Sequence, residues 1–137
     1  MSTLTLANMS PAIAVHLATA LVAVMIGPVA IWARRGRTVR AKMHRAAGYA
    51  WVTCMVIASV SALFIRGSGL ANIAGFSPIH LLIPATLGSL VLAFRALARG
   101  DIRTHQAMMV RTYIGACIVA GAFTLLPGRF LGRLLWG

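Results

Sequence analysis

A chain of 137 residues is enough for one domain, but 60% of these residues are apolar, above the roughly 45–50% of a soluble fold, and mean hydropathy is +0.88. The net charge of +12 invites a nucleic-acid reading, yet no aromatics are interleaved with the basic residues of the two basic loops, so no nucleic-acid partner is expected. One acidic residue, no Ser/His/Asp set, no paired carboxylates, no Gly-rich phosphate loop and no cysteine cluster leave hydrolytic chemistry unsupported.

Uncharged stretches of roughly 18 residues or more read as membrane-spanning helices. They fall at about residues 11–33, 43–65, 78–95 and 102–126, which predicts an all-α transmembrane four-helix bundle in a single domain, residues 1–137. Met1 to Ser10 lacks a basic start, and the first apolar run continues to Arg34, so it reads as a span rather than a cleavable signal.

Ser10-Pro11 is a helix-start signal, a hydroxyl to cap and a proline at the first helical position. His16 follows near that end, and Gly27-Pro28 interrupts the span near the other, where a kink is expected. The second span opens with His44-Arg45 and ends in Arg66-Gly67-Ser68-Gly69, a turn-rich loop. Ser77-Pro78 repeats the start signal before His80, and Pro84 frees a backbone carbonyl near that imidazole. Asp101 sits where a cap for the fourth helix belongs, with His105 just inside it and Arg111 deeper. Pro127-Gly128 ends the span, and Arg129 to Trp136 reads as an amphipathic tail in the interface. Tyr49, Trp51 and Tyr113 read as an aromatic belt. Cys54 and Cys117 read as buried apolar thiols.

Arg34, Arg35, Arg37, Arg40, Lys42 and Arg45 lie between the first two spans, and Arg95, Arg99, Arg103 and Arg111 flank the last connection. Only Arg66, Arg129 and Arg133 fall on the opposite side, an asymmetry that puts both basic loops in the cytoplasm and both termini outside. The expected partners are the lipid bilayer and its anionic headgroups, in a multi-pass protein of a bacterial inner membrane.

The four histidines, one per span, pair by depth: His16 with His80 near the outer face, His44 with His105 near the inner face. In an up-down-up-down ring, spans 1 and 3 are diagonal, and each pair faces across the core. Two neutral imidazoles on opposite sides of a flat macrocycle give six-coordinate haem b, suited to electron transfer. These four residues are therefore candidate axial ligands for two haems. Small residues that could leave room lie at helical spacing: Ala20, Ala23 and Gly27; Ala47 and Gly48; Gly88; Thr112, Gly115 and Ala116. They serve plain helix contact equally well. With a single Asp, almost no arginine has a protein partner, which makes Arg45, Arg111 and Arg129 candidates for the haem propionates or for lipid phosphate. Zinc or copper fits worse, because the outer pair offers two imidazoles with no nearby carboxylate and no cysteine, short of the usual ligand count. Met108 and Met109 read as packing rather than ligands.

His16 with Gly27-Pro28, His44-Arg45 with Gly48-Tyr49, Gly75-Phe76-Ser77-Pro78-Ile79-His80-Leu81-Leu82, His105 with Met109, and Ala120-Gly121 through Phe123-Thr124 to Pro127-Gly128-Arg129 together resemble a family of small bacterial membrane proteins, domain of unknown function 2306. In architecture and ligand placement, not in sequence, the histidine scheme looks like the two-haem b-type cytochromes of the cytochrome b-561 kind, without their extra flanking helices. That likeness implies electron transfer between a quinol or cytoplasmic donor and a membrane or periplasmic-side acceptor. The competing reading is a non-enzymatic membrane subunit, assembling or stabilising a larger complex, with histidines as polar contacts. A third is proton or metal-ion transport along them.

Overall fold

The Ser10 Oγ accepts the Ile13 N–H at 3.3 Å, taking up one of the amides that a helix start leaves without a partner. Pro11 occupies the first helical position, where its missing N–H costs nothing. Helix α1 then runs Pro11–Trp32, unbroken through Pro28. The structure is a computed structural model that describes residues 9–34, 40–65, 78–126 and 130–136, and among these every element is helical. Helix α2 is Ala41–Leu63, and α3 is Leu82–Ala98, entered through a 3-10 turn at Pro78–Leu81. Helix α4 is Ile102–Thr124, in which Tyr113–Val119 winds as a π-helix. Helix α5, Phe130–Trp136, is tied to the end of α4 by Trp136 Nε1–H donating to the Leu125 carbonyl at 3.1 Å.

Helices α1, α2 and α4 have 22, 23 and 23 residues and are apolar enough to cross a membrane. At 1.5 Å per residue each is about 33–35 Å long, matching a hydrocarbon core of roughly 30 Å. Helix α3 has only 17 residues, about 25 Å, and the 3-10 turn adds about 8 Å to bring it level. Its predicted end at residue 95 moves to Ala98 because Arg95 does not stop it. Gly100 does, at φ +77°, in the left-handed region that favours glycine and closes the short turn to α4. Asp101 then caps α4, its carboxylate accepting the Thr104 N–H at 3.1 Å.

Helix α1 packs along α2, α3 along α4, α2 along α3, and α4 returns to α1 through its π segment. The core they share is Ala23, Trp51, Met55, Leu90 and Cys117, with Met109 packed against it. Leu21, Met25, Phe64, Val91 and Phe123 point outward and are more than half exposed. Apolar outside as well as inside, the surface suits lipid rather than water. The basic loops gather at one end, with Arg34, Arg40, Lys42, Arg45, Arg99 and Arg103 all exposed; it is called the basic end below, and the opposite one the far end.

Candidate functional site

At the basic end three hydrogen bonds recur in the two hairpins. In α1–α2, the Arg40 N–H reaches the Ala33 carbonyl at 3.0 Å, the His44 N–H reaches the Arg40 carbonyl at 2.9 Å, and His44 Nδ1 meets the Ala30 carbonyl at 2.8 Å. In α3–α4, Asp101 N–H reaches Ala96 O at 2.9 Å, His105 N–H reaches Asp101 O at 3.1 Å, and His105 Nδ1 meets Ala93 O at 2.9 Å. Each histidine is the fourth residue of its helix, so its ring lies against the last turns of the preceding one. A carbonyl can only accept, so Nδ1 carries the proton in both rings, and Nε2 of the neutral imidazole keeps its lone pair. Neither Nε2 makes a hydrogen bond among the described residues. A backbone carbonyl on Nδ1–H is also how proteins orient a ligating histidine. The Phe94 ring stands edge-on to His105, with centroids 6.0 Å apart.

The far end holds the other two histidines but does not repeat. His16 Nδ1–H donates to the Ala58 carbonyl on α2 at 2.8 Å, with Ser61 Oγ 3.5 Å away. His80, in the 3-10 turn, instead turns Nε2 to the Ile65 carbonyl just past the end of α2, at 3.1 Å. All four rings are half-buried, and the structure places two at each end, as their depth in the sequence predicts.

Between the layers lies a cluster that sequence reasoning assigned elsewhere. Trp51 and Tyr113 are not belt residues. Trp51 is 3% exposed in the core, and the half-buried Tyr113 ring stands 6.4 Å from it, centroid to centroid. The reason is Gly27-Pro28. Pro28 has no N–H, which leaves the carbonyl four residues back, that of Val24, without its helical partner. The Tyr113 hydroxyl donates to Val24 O at 3.0 Å. Gly27 makes the approach feasible: a Cβ there would overlap the Tyr113 ring and lie 3.3 Å from Trp51 Nε1. Gly27 is therefore not space for a cofactor, as the small-residue pattern suggested, but the seat of Tyr113. The π-helix of α4 begins at this tyrosine. Below it, Cys117 Sγ contacts Met55 Sδ at 3.7 Å, and both cysteines are free. The Trp51 indole N–H has no hydrogen-bond partner among the described residues. Two signals could have found this cluster: Trp51 lies seven residues, nearly two turns, beyond His44 on one face, and Pro28 demanded a donor.

Gly48, Gly88 and Gly115 do have open space where a Cβ would be. Arg45 and Arg111 are exposed, so each can reach an anion only at the rim or outside of the bundle. Arg129 lies outside the described residues, as do the Gly75–Ser77 part of the third segment and Pro127-Gly128. Among the described residues no three His, Cys, Asp or Glu side chains gather as a bare metal ion would need. A haem asks for less, two opposed imidazoles. The basic-end pair offers two imidazoles whose Nε2 lone pairs are unengaged, and at the far end only His16 does.

No curated protein and no solved structure matches the chain. Residues 13–134 match the family described as predicted membrane protein, DUF2306. The match takes in all four histidines, the Gly27-Pro28 seat and Tyr113. This chain belongs to the DUF2306 family of predicted membrane proteins.

Proposed function

We propose that the protein is a di-haem b-type membrane cytochrome, passing electrons between a quinol or cytoplasmic donor and a periplasmic-side acceptor across a bacterial inner membrane. His44 and His105 would hold the haem at the basic, cytoplasmic end, and His16 and His80 the one at the far end, with both chain termini outside. The observation that carries this reading is the duplicated basic-end turn, which sets two equivalent imidazoles with Nδ1–H fixed by Ala30 and Ala93 and Nε2 unengaged. Bound between two imidazoles, haem b supplies reversible one-electron chemistry and leaves no open iron position.

The chain's own residues do the rest. The alanine carbonyls fix the tautomer and the ring planes. The Trp51–Tyr113–Met55–Cys117 cluster fills the middle of the bundle with packed side chains and keeps the two layers apart. Arg45 and Arg111 offer guanidinium groups to propionates reaching the surface or to lipid phosphate.

One observation favours a second reading. Every imidazole already satisfies a backbone carbonyl in or just past a neighbouring helix, which is also what a purely structural cross-link would do. In that case the protein is a non-enzymatic subunit of a larger membrane complex. A dithionite-reduced minus oxidised spectrum of the purified protein separates the two: sharp haem b bands support the cytochrome, and a colourless, folded protein supports the subunit.

A further inference from the structure

Resting on the haem reading above, we infer that the two layers are unequal binding sites: the basic-end site is preformed and fills first, whereas the far-end site fills second, after the His80 ring has left the Ile65 carbonyl. Haem iron takes an imidazole through Nε2, the nitrogen remote from the backbone, because the side chain's own Cβ crowds Nδ1. At the basic end both rings already offer that nitrogen, and both sit in regular α-helix with their Nδ1–H groups held at 2.8 and 2.9 Å. At the far end His16 is held in the same way. His80 is not: Nε2 is the nitrogen bound to Ile65 O.

For His80 to serve as a ligand, its ring gives up the Ile65 bond and turns over. The proton moves from Nε2 to Nδ1 by exchange with solvent, so none is gained or lost, and the other three rings show the geometry it would reach. Its position allows this. His80 lies in the 3-10 turn Pro78–Leu81, whose hydrogen bonds are weaker than those of the α-helices carrying the other three. Giving up the Ile65 bond and reorienting the ring lowers affinity by about five- to tenfold or more. The basic-end site has no such step.

The test is a haemin titration of the full chain, purified in detergent from a haem-deficient host and followed by Soret absorbance. The expected result is two steps, the first tighter by about five- to tenfold or more. His80→Ala keeps the first and loses the second, and His105→Ala loses the first. Equal affinities, or loss of the first step in His80→Ala, would overturn the inequality while leaving the haem reading in place. Absence of any Soret band overturns both. Because an alanine variant can fail to fold, the same point is read without mutation or haem from the nitrogen spectra of isotope-labelled histidines. Three rings protonated at Nδ1 and one at Nε2 are expected, and four alike would sink the inference.

Discussion

At the basic end, α1–α2 and α3–α4 turn through the same three hydrogen bonds, down to an alanine carbonyl on each Nδ1–H. At the far end the same kinds of residue, a Ser-Pro start and a histidine soon after, give different results. His16 is held by the helix it pairs with in its own hairpin, and His80 by the end of α2 in the other hairpin. The difference teaches where a repeat can be kept. At the basic end the recurring bonds lie at the last turns of one helix and the first turn of the next. The far end must also accommodate the link between hairpins, and the π-helix shifts the register of α4 on its way there.

The centre is where the two halves diverge. Ala23, Gly27, Ala30 and Ala33 on α1 answer to Thr86, Leu90, Ala93 and Ala96 on α3 at constant spacing, and only one pair differs much in size. Leu90 fills the core itself, whereas Gly27 makes way for Tyr113 from α4. One glycine and one proline thus convert a repeated helix into a socket.

The sharpest way to break the comparison is at the ligands. His44→Ala and His105→Ala are expected to have equal effects, each removing one of two haems, while His16→Ala leaves the basic-end haem in place; haem per chain measures this. Unequal losses from the first two would mean that the duplicated turn is not a duplicated site. Next in size is the socket. Tyr113→Ala should lower stability by about 2–4 kcal/mol, and Gly27→Ala by about 1–3 kcal/mol through overpacking. Thermal unfolding in detergent should show strong coupling between them, because without the ring the added methyl of Gly27→Ala meets only Trp51 Nε1, at 3.3 Å. Additive effects would put the ring elsewhere. Tyr113→Phe keeps the ring but strands Val24 O, at about 1–2 kcal/mol. Smallest is Asp101, which breaks the match between the hairpins, since Arg40 at the equivalent cap has no side-chain acceptor and makes no capping bond. Hydrogen bonds from Thr104 hold the Asp101 carboxyl below its ordinary range. Its stabilisation is therefore complete above the usual carboxylate range and is lost as pH falls through the lowered value. In Asp101→Asn that acid sensitivity should disappear from the melting curves.

Much of this was legible in the residues. The four apolar helical stretches followed from uncharged length, though the third is a shorter helix that ends at Ala98 rather than residue 95. The caps followed from Ser10 and Asp101, and the sharing of each end by two histidines from their depth. Met109 packs as its helical spacing suggested. Trp51 and Tyr113 were misread because aromatics near a span end usually serve the headgroup region. What overrides that preference is a tertiary bond, to a carbonyl freed 89 residues away. The ring nitrogen each histidine engages was not legible either, since it depends on which neighbouring carbonyl lies within reach.

The most direct measurement of the central claim is electron paramagnetic resonance of the oxidised, haem-loaded protein. Opposed imidazoles predict low-spin ferric signals only, with the basic-end component missing when His44 and His105 are both alanine. A high-spin spectrum in the wild type, or one unchanged by that double substitution, would contradict it.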